Sequence, residues 1–122
     1  TITYDFIKIL RTRRPEVPII MVEGIMYPYT RHSSFYADYL PQKNASFRRA
    51  YEQHLAENPK GLYYMSHEGQ TGPEMEGTVD GVHMTDYGFR AYADILEVFI
   101  KQALDDTGVD YGLTPTQAII RK

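Results

Sequence analysis

The sequence predicts an α/β fold with a parallel sheet, and three observations support that prediction. Helical patterns and short apolar runs alternate in the order α-β-α-β-α. The first apolar run, residues 18–24, lies between Pro and Gly, as is typical of a strand covered on both faces. The chain has only two such strands, whereas a parallel sheet that folds independently has about five or six. We therefore expect this chain to form half of a larger fold.

The first two predicted elements are a helix and a strand. Residues 1–14 combine apolar side chains at helical spacing with cations near the C-terminal end, where they suit the helix dipole. Pro15 and Pro18 end that helix, and residues 18–24 form the first strand. The apolar stripe of the helix consists of Ile2, Phe6, Ile9 and Leu10.

An aromatic segment, residues 25–43, follows the first strand and is predicted to be irregular. Loops of this length in compact domains are often functional, so two interpretations stay open: an aromatic patch packed over the sheet edge, or the wall of a substrate cleft. Tyr27 and Tyr29 are candidate substrate-binding residues, together with Glu23 at the end of the strand. Glu23 could equally form a hydrogen bond that fixes the segment.

The remaining elements are a helix, a strand, a polar loop and a final helix. Asn44 is predicted to cap the second helix, which ends near Asn58, and residues 61–66 form the second strand. A polar loop over residues 67–84 leads to Thr85, the predicted N-cap of the last helix. That helix has the clearest amphipathic spacing in the chain: Phe89, Tyr92, Ala93, Leu96, Phe99, Ile100, Ala103 and Leu104.

Composition excludes several classes of protein. The 122 residues suit one modest domain, and the net charge of -3 argues against a nucleic-acid or anionic-membrane surface. No apolar run approaches the roughly 18 residues of a membrane span. The absence of Cys excludes disulfides, thiolate metal sites and cysteine nucleophiles. The first Met is Met21, inside a predicted strand, so we expect a removed leader or a longer protein. An upstream signal peptide would make that protein secreted or periplasmic.

The most informative residues for function are Asp80 and His83. Gly81 between them permits a tight turn in which the carboxylate can accept the imidazole Nδ1–H. That bond fixes the tautomer and leaves Nε2 free to take a proton from a nucleophile. A structural alternative is a polar turn in which Asp80 accepts backbone N–H groups and His83 caps the last helix.

The stretch VDGVHMTDYGFRAYADIL, residues 79–96, closely resembles the last sequence block of the SGNH, or GDSL-type, esterase and acylhydrolase family. In that block an Asp-x-x-His pair is followed by a polar pair, a Gly and an apolar-spaced helix. The form EGTVDGVH, residues 76–83, is similar to a bacterial GDSL-like branch. Met84 departs from the Pro of many members, which should loosen the turn slightly. The positions that match the pattern are Asp80, His83, Thr85, Asp86, Gly88 and Phe89.

The resemblance implies a three-layer α/β/α, flavodoxin-like fold with a parallel sheet. Residues 1–104 would be the C-terminal half of that domain, and residues 105–122 a tail extension. The family resemblance also implies a serine ester hydrolase without a cofactor, with His83 as the general base and acid and Asp80 orienting it. The substrate would be a small-molecule or carbohydrate ester.

One departure from the family pattern bears on this assignment. Members carry the serine nucleophile in a Gly-Asp-Ser block near their N-terminus, with Gly and Asn oxyanion donors on later blocks, and none of these occurs here. We therefore interpret the chain as a C-terminal half whose nucleophile lies upstream. Alone, it should have little or no activity, since one oxyanion donor is worth roughly 3–4 kcal/mol. Its own serines are Ser33, Ser34, Ser46 and Ser66.

Three alternatives stay open. Asp80, His83 and Asp86, with His67 nearby, could form the metal site of a metal-dependent hydrolase. Ser33 or Ser34 could be an internal nucleophile, although neither lies in a strand-turn-helix elbow. The chain could also be a non-catalytic module that binds carbohydrate or a partner through residues 25–43. Independently of these, a sheet edge left exposed in this half could pair two copies into a homo-oligomer.

Overall fold

The computed structural model describes residues 1–108, so most of the predicted tail lies outside the described residues. Thr1 caps the first helix with its hydroxyl, and the last helix continues past residue 104 to Thr107. None of the helices in residues 1–108 combines the length and apolar character that crossing a bilayer requires. The elements are α1 (Ile2–Arg13), β1 (Ile19–Val22), the 3-10 helix η1 (Pro28–Arg31), α2 (Ser34–Glu57), β2 (Leu62–Met65) and α3 (Asp86–Thr107).

The two strands pair in parallel, as predicted. The register places Ile19 opposite Leu62 and continues along both strands to Val22 opposite Met65. A backbone hydrogen bond from the Glu23 amide to the Met65 carbonyl extends the pairing by one residue. The carboxyl ends of both strands therefore meet at one edge of the sheet, the edge where open α/β folds bind ligands.

Helices cover both faces of this sheet. Met21 and Leu62 form a buried cluster with Ile7 of α1, which places α1 on one face. Tyr63 points to the opposite face because side chains alternate along a strand, and its hydroxyl donates to Asp106 of α3. The described residues thus form three layers. Partly buried side chains extend the cluster to α2: Ile19, Phe47, Tyr51 and Tyr64.

The prediction of an irregular segment over residues 25–43 is wrong for its second half. Helix α2 begins at Ser34 and contains Pro41 in its interior. Proline removes one backbone donor from a helix, but packing of one continuous helical face outweighs that loss. The buried positions of α2 recur at helical spacing on both sides of the proline: Leu40, Asn44, Ala50 and His54.

The predicted N-cap role of Asn44 is also wrong. Asn44 lies in the interior of α2 and is buried. Its side-chain amide donates to the Gly24 carbonyl at 3.0 Å and accepts from the Gly24 amide at 3.2 Å. These bonds satisfy the backbone of the segment that leaves β1, so Asn44 ties that segment to α2.

The start of α3 follows the prediction. The Thr85 hydroxyl accepts a hydrogen bond from the Gly88 amide, and Asp86 lies in the first turn. The helix ends at Gly108, whose φ of 67° is in the left-handed region that glycine adopts without a steric cost. A well-defined N-terminus for α3 matters because residues 80–83 immediately precede it.

Candidate active site

Residues 80–83 form a tight turn in the loop between β2 and α3. The turn is closed by a hydrogen bond of 2.8 Å from the Val79 amide to the His83 carbonyl, and an antiparallel bridge joins Thr78 to Met84. Gly81 has a φ of 87°, a conformation that favours glycine. The sequence therefore builds this turn locally, as predicted from Gly81.

The turn brings Asp80 and His83 together. His83 Nδ1 lies 2.6 Å from Asp80 Oδ2, and Asp80 Oδ1 accepts from the amides of Val82 at 3.0 Å and His83 at 2.8 Å. The backbone bond from His83 is the main cause that lowers the pKa of Asp80, followed by the bond from its imidazole and the bond from Val82. Asp80 thus stays ionised and accepts the Nδ1–H of the imidazole.

Both side chains of this pair are accessible. The exposed fractions are 79% for His83 and 51% for Asp80. Within residues 1–108, no hydrogen bond engages Nε2 of His83, so in the neutral ring with Nδ1–H bound to Asp80 this nitrogen is a free acceptor at the surface. An imidazole in this state can accept a proton from a hydroxyl nucleophile placed next to it.

Close backbone packing fixes the turn to the start of α3. Gly77 donates to the Thr71 carbonyl at 2.8 Å and accepts from the Thr85 amide at 3.0 Å. A Cβ on Gly88 would lie 1.9 Å from the Gly77 carbonyl oxygen, so only glycine fits there. The helix N-terminus and the segment that precedes Asp80 therefore form one rigid unit.

Tyr29 packs against the same turn. A Cβ on Gly81 would lie 2.6 Å from the Tyr29 ring, so the ring contacts the Gly81 backbone directly. Tyr29 is still partly exposed, whereas Tyr27 packs edge-on against Tyr36 with ring centroids 5.7 Å apart. Of the two predicted substrate-binding tyrosines, Tyr29 is therefore adjacent to the candidate pair, and both roles stay predictions.

A second carboxylate–imidazole pair, absent from the sequence predictions, lies at the carboxyl ends of the strands. Glu23 Oε2 lies 2.6 Å from His67 Nδ1 and accepts from the His67 amide at 2.9 Å. Its other oxygen accepts from the Arg48 guanidinium at 2.9 Å and from the Tyr64 hydroxyl. The Glu23 side chain is 1% exposed and the His67 side chain 33%. This burial does not favour the predicted contact between Glu23 and a substrate.

The electrostatics of Glu23 follow from these contacts. Burial by itself would raise the pKa of Glu23, but hydrogen bonds from Tyr64, His67 and Arg48 lower that pKa to about 2. Burial and the bond to Glu23 raise the pKa of Tyr64. Glu23 is therefore a buried carboxylate whose charge is compensated by donors from α2, β2 and the following loop.

The sequence did contain one signal for this second pair. Glu23 follows β1 and His67 follows β2, and the carboxyl ends of paired parallel strands lie side by side. Gln70 then fixes the loop, since its buried amide donates to the carbonyls of Glu23 at 3.1 Å and Ser66 at 3.0 Å. The sequence separation of 44 positions between Glu23 and His67 concealed this proximity.

The two remaining site alternatives receive no geometric support from the described residues. Within residues 1–108, no group of three or more His, Asp and Glu side chains is arranged to hold a metal ion, so Asp80, His83 and Asp86 do not form one. Ser33 is the N-terminal cap position of α2 and Ser34 its first residue. Neither hydroxyl is hydrogen-bonded to an imidazole in this part of the chain.

Comparison with known proteins identifies relatives of the chain. The model of the GDSL-like lipase/acylhydrolase family matches residues 1–101. A crystal structure of a protein described as a GDSL-like lipase, from Bacteroides ovatus, is similar with 27% sequence identity and a TM-score of 0.76. The similarity covers 84% of this chain and 31% of that protein, so the chain spans about a third of its length. No curated protein matched. The predicted α/β fold with a parallel sheet is thereby confirmed.

Proposed function

Because the chain belongs to the GDSL-like lipase/acylhydrolase family, we propose that it contributes the acid/base pair of a serine ester hydrolase. The observation that carries this proposal is the 2.6 Å contact between Asp80 Oδ2 and His83 Nδ1. It leaves Nε2 of His83 accessible and able to accept a proton. Asp80 orients the imidazole and stabilises the imidazolium that forms when the proton arrives.

In the proposed reaction, His83 first acts as a general base. Its Nε2 takes the hydroxyl proton of the nucleophile while the nucleophile's oxygen attacks the ester carbonyl carbon. The imidazolium then gives that proton to the alcohol oxygen as the carbon–oxygen bond breaks, which leaves an acyl-enzyme. Water attacks the acyl group with His83 again as base, and release of the acid regenerates the free hydroxyl.

The nucleophile and the oxyanion donors belong, in this proposal, to a portion of the protein upstream of Thr1. None of the chain's serines lies in a Gly-Asp-Ser block, and neither Ser33 nor Ser34 is hydrogen-bonded to an imidazole within residues 1–108. The proposal therefore places the reacting serine on an upstream segment whose hydroxyl reaches Nε2 of His83.

The first experiment is to read the coding frame upstream of Thr1. A Gly-Asp-Ser block there, followed by Gly and Asn donors, supports the proposal. The protein from that frame should then be labelled by a fluorophosphonate at the block's serine, and the H83A variant should lose the labelling. A frame that contains no such serine, or labelling that is unchanged in H83A, contradicts the proposal.

A second candidate function is a binding module, and one observation favours it. Phe35 and Tyr39 stack with centroids 5.6 Å apart, and both rings are largely exposed near the start of α2. Exposed aromatic rings suit the apolar faces of sugars. Saturable binding of a sugar by a protein that hydrolyses no ester would favour this candidate over the esterase.

A further inference from the structure

We propose that His67 is a substrate-binding residue whose Nε2 forms a hydrogen bond with a hydroxyl on the alcohol half of the ester, and that this alcohol is a sugar or similar polyol. The inference rests on the proposed esterase function and names a contact that the reaction itself does not require. It begins from the Glu23–His67 pair, which the acid/base chemistry of His83 leaves unused.

The orientation of the His67 ring is fixed by Glu23. Its Nδ1 is bound to Glu23 Oε2 at 2.6 Å, and the same oxygen accepts the His67 amide at 2.9 Å. Because Glu23 is an ionised acceptor, Nδ1 carries the proton and donates. No hydrogen bond from residues 1–108 engages Nε2, which is an acceptor in the neutral form of the ring.

The His67 side chain borders a cavity. This cavity has a volume of about 230 Å³, and its walls also include Glu68, Thr71 and the backbone of Gly69 and Gly72. Met26 and Met75 supply the apolar part of the lining. A lining that combines apolar side chains with a few polar groups is typical of a small-molecule site.

Several side chains hold the partly exposed His67 imidazole in place. Glu23 is held by Arg48 of α2 and by Tyr64 of β2, in addition to His67. Gln70 fixes the loop on the other side through two backbone carbonyls. Such support restricts the ring to one orientation, which a binding residue needs if it is to discriminate between ligands.

Backbone hydrogen bonds connect the cavity wall to the candidate active site. Thr71, in the cavity wall, accepts the Gly77 amide, and Gly77 in turn accepts the amide of Thr85, two residues after His83. The cavity and the Asp80–His83 turn are therefore connected through one short hydrogen-bonded segment. In the proposal, the ester carbonyl lies near His83 and the alcohol half of the ester occupies the cavity that His67 lines.

The choice of a sugar or polyol follows from the groups available. Nε2 of the neutral ring can accept a hydrogen bond from a hydroxyl, and Met26 and Met75 offer apolar surface in the same cavity. A hydroxyl-rich ring with one apolar face combines both requirements. A plain alkyl alcohol would leave the imidazole nitrogen without a donor, and unpaired polar groups lower affinity.

The test uses the full protein and the variant H67N. The Asn amide can replace Nδ1 as the donor to Glu23 but has no atom at the position of Nε2. We expect H67N to raise KM at least about fivefold for methyl 6-O-acetyl-glucopyranoside, with kcat unchanged, since one neutral hydrogen bond is worth about 1 kcal/mol. Hydrolysis of p-nitrophenyl acetate, which has no hydroxyl to bind, should be unaffected. H67Q, which restores a polar atom near Nε2, should recover part of the loss.

Direct binding separates this inference from the proposed function. In H83A protein labelled with ¹⁵N-histidine, the same acetylglucoside should shift the Nε2 resonance of His67 without turnover. Such a shift in H83A, combined with a wild-type protein that hydrolyses neither ester, would support the His67 contact and contradict the esterase. Wild-type kinetics in H67N, or equal losses on both esters, would overturn the His67 proposal while the esterase stands.

Discussion

The Asp80–His83 and Glu23–His67 pairs share one geometry and have opposite surroundings. In both, a carboxylate oxygen lies 2.6 Å from Nδ1 of the imidazole. Asp80 is half exposed and is held by amides of its own turn, whereas Glu23 is buried and is held by side chains from three elements. One pair depends on local backbone conformation and the other on tertiary packing.

The difference indicates a division of roles. An exposed imidazole with a free Nε2 can transfer protons to a group that approaches it, and its loss should affect chemistry more than folding. A buried carboxylate that organises Arg48, Tyr64 and His67 should affect folding more than chemistry. Variants at the two pairs therefore provide a direct test of the comparison.

The largest expected effect is on hydrolysis by the full protein after substitution of His83. H83A removes the general base, so kcat should fall by about a thousandfold or more, and D80N should fall by a similar factor because the imidazole loses its fixed tautomer. H32A removes an exposed histidine elsewhere and serves as the control. Retention of most activity in H83A would mean that another group transfers the proton.

The next largest effect is on stability after substitution of Glu23. E23Q leaves the partly exposed Arg48 guanidinium and His67 imidazole without their anionic acceptor, so the free energy of unfolding should fall by about 2–3 kcal/mol, the range for lost hydrogen bonds to a charged group. Chemical denaturation measures this change. E57Q is the matched control, since Glu57 also accepts from a tyrosine, Tyr4, but is exposed. Equal losses in the two variants would contradict the comparison.

The pH dependence of stability should come from Glu23. Its pKa is lowered in the folded protein from 4.5 to about 2, so the folded state binds the proton more weakly than the unfolded state does. The resulting stabilisation, about 3 kcal/mol, is complete above pH 4.5 and is lost as the pH falls toward 2. The difference in unfolding free energy between wild type and E23Q should shrink over that window. If the difference in unfolding free energy between wild type and E23Q did not change with pH, the lost stability would come from packing and not from the charge of Glu23.

Sequence reasoning predicted the elements whose signals are local. The Asp80-x-x-His83 turn, the Thr85 cap and the amphipathic face of α3 all depend on residues within a few positions of one another. Both strands were predicted because each is a short apolar run bounded by residues that interrupt regular secondary structure. The fold class followed from their alternation with helices, since parallel strands require helical crossovers.

Sequence reasoning missed the features that depend on distant contacts. Residues 25–43 were predicted to be irregular, yet α2 begins at Ser34 and continues through Pro41, because Leu40 and Asn44 are buried on the same helical face as Ala50 and His54. Asn44 suited a helix cap, but its amide instead bonds to the Gly24 backbone. Glu23 and His67 are far apart in sequence, and only the pairing of β1 with β2 brings them together.

The smallest expected effect is on stability after substitution of Gly81, in the turn that joins Asp80 to His83. G81A forces a side chain into the left-handed region and against the Tyr29 ring, 2.6 Å away, whereas G108A has the same kind of backbone cost with no atom within 4 Å. We expect G108A to lower the free energy of unfolding by about 1 kcal/mol and G81A by about 2 kcal/mol. Chemical denaturation measures both changes.

The same substitution should also affect hydrolysis, because Gly81 shapes the turn that joins Asp80 to His83. In G81A the two side chains lose part of their alignment, so kcat of the full protein should fall about tenfold or more while G108A stays at the wild-type rate. The double variant Y29A/G81A relieves the ring contact and should recover part of kcat. If G81A and G108A were equal in both stability and rate, the Tyr29 contact would have no role in holding the turn, and the local pair would depend on its own backbone alone.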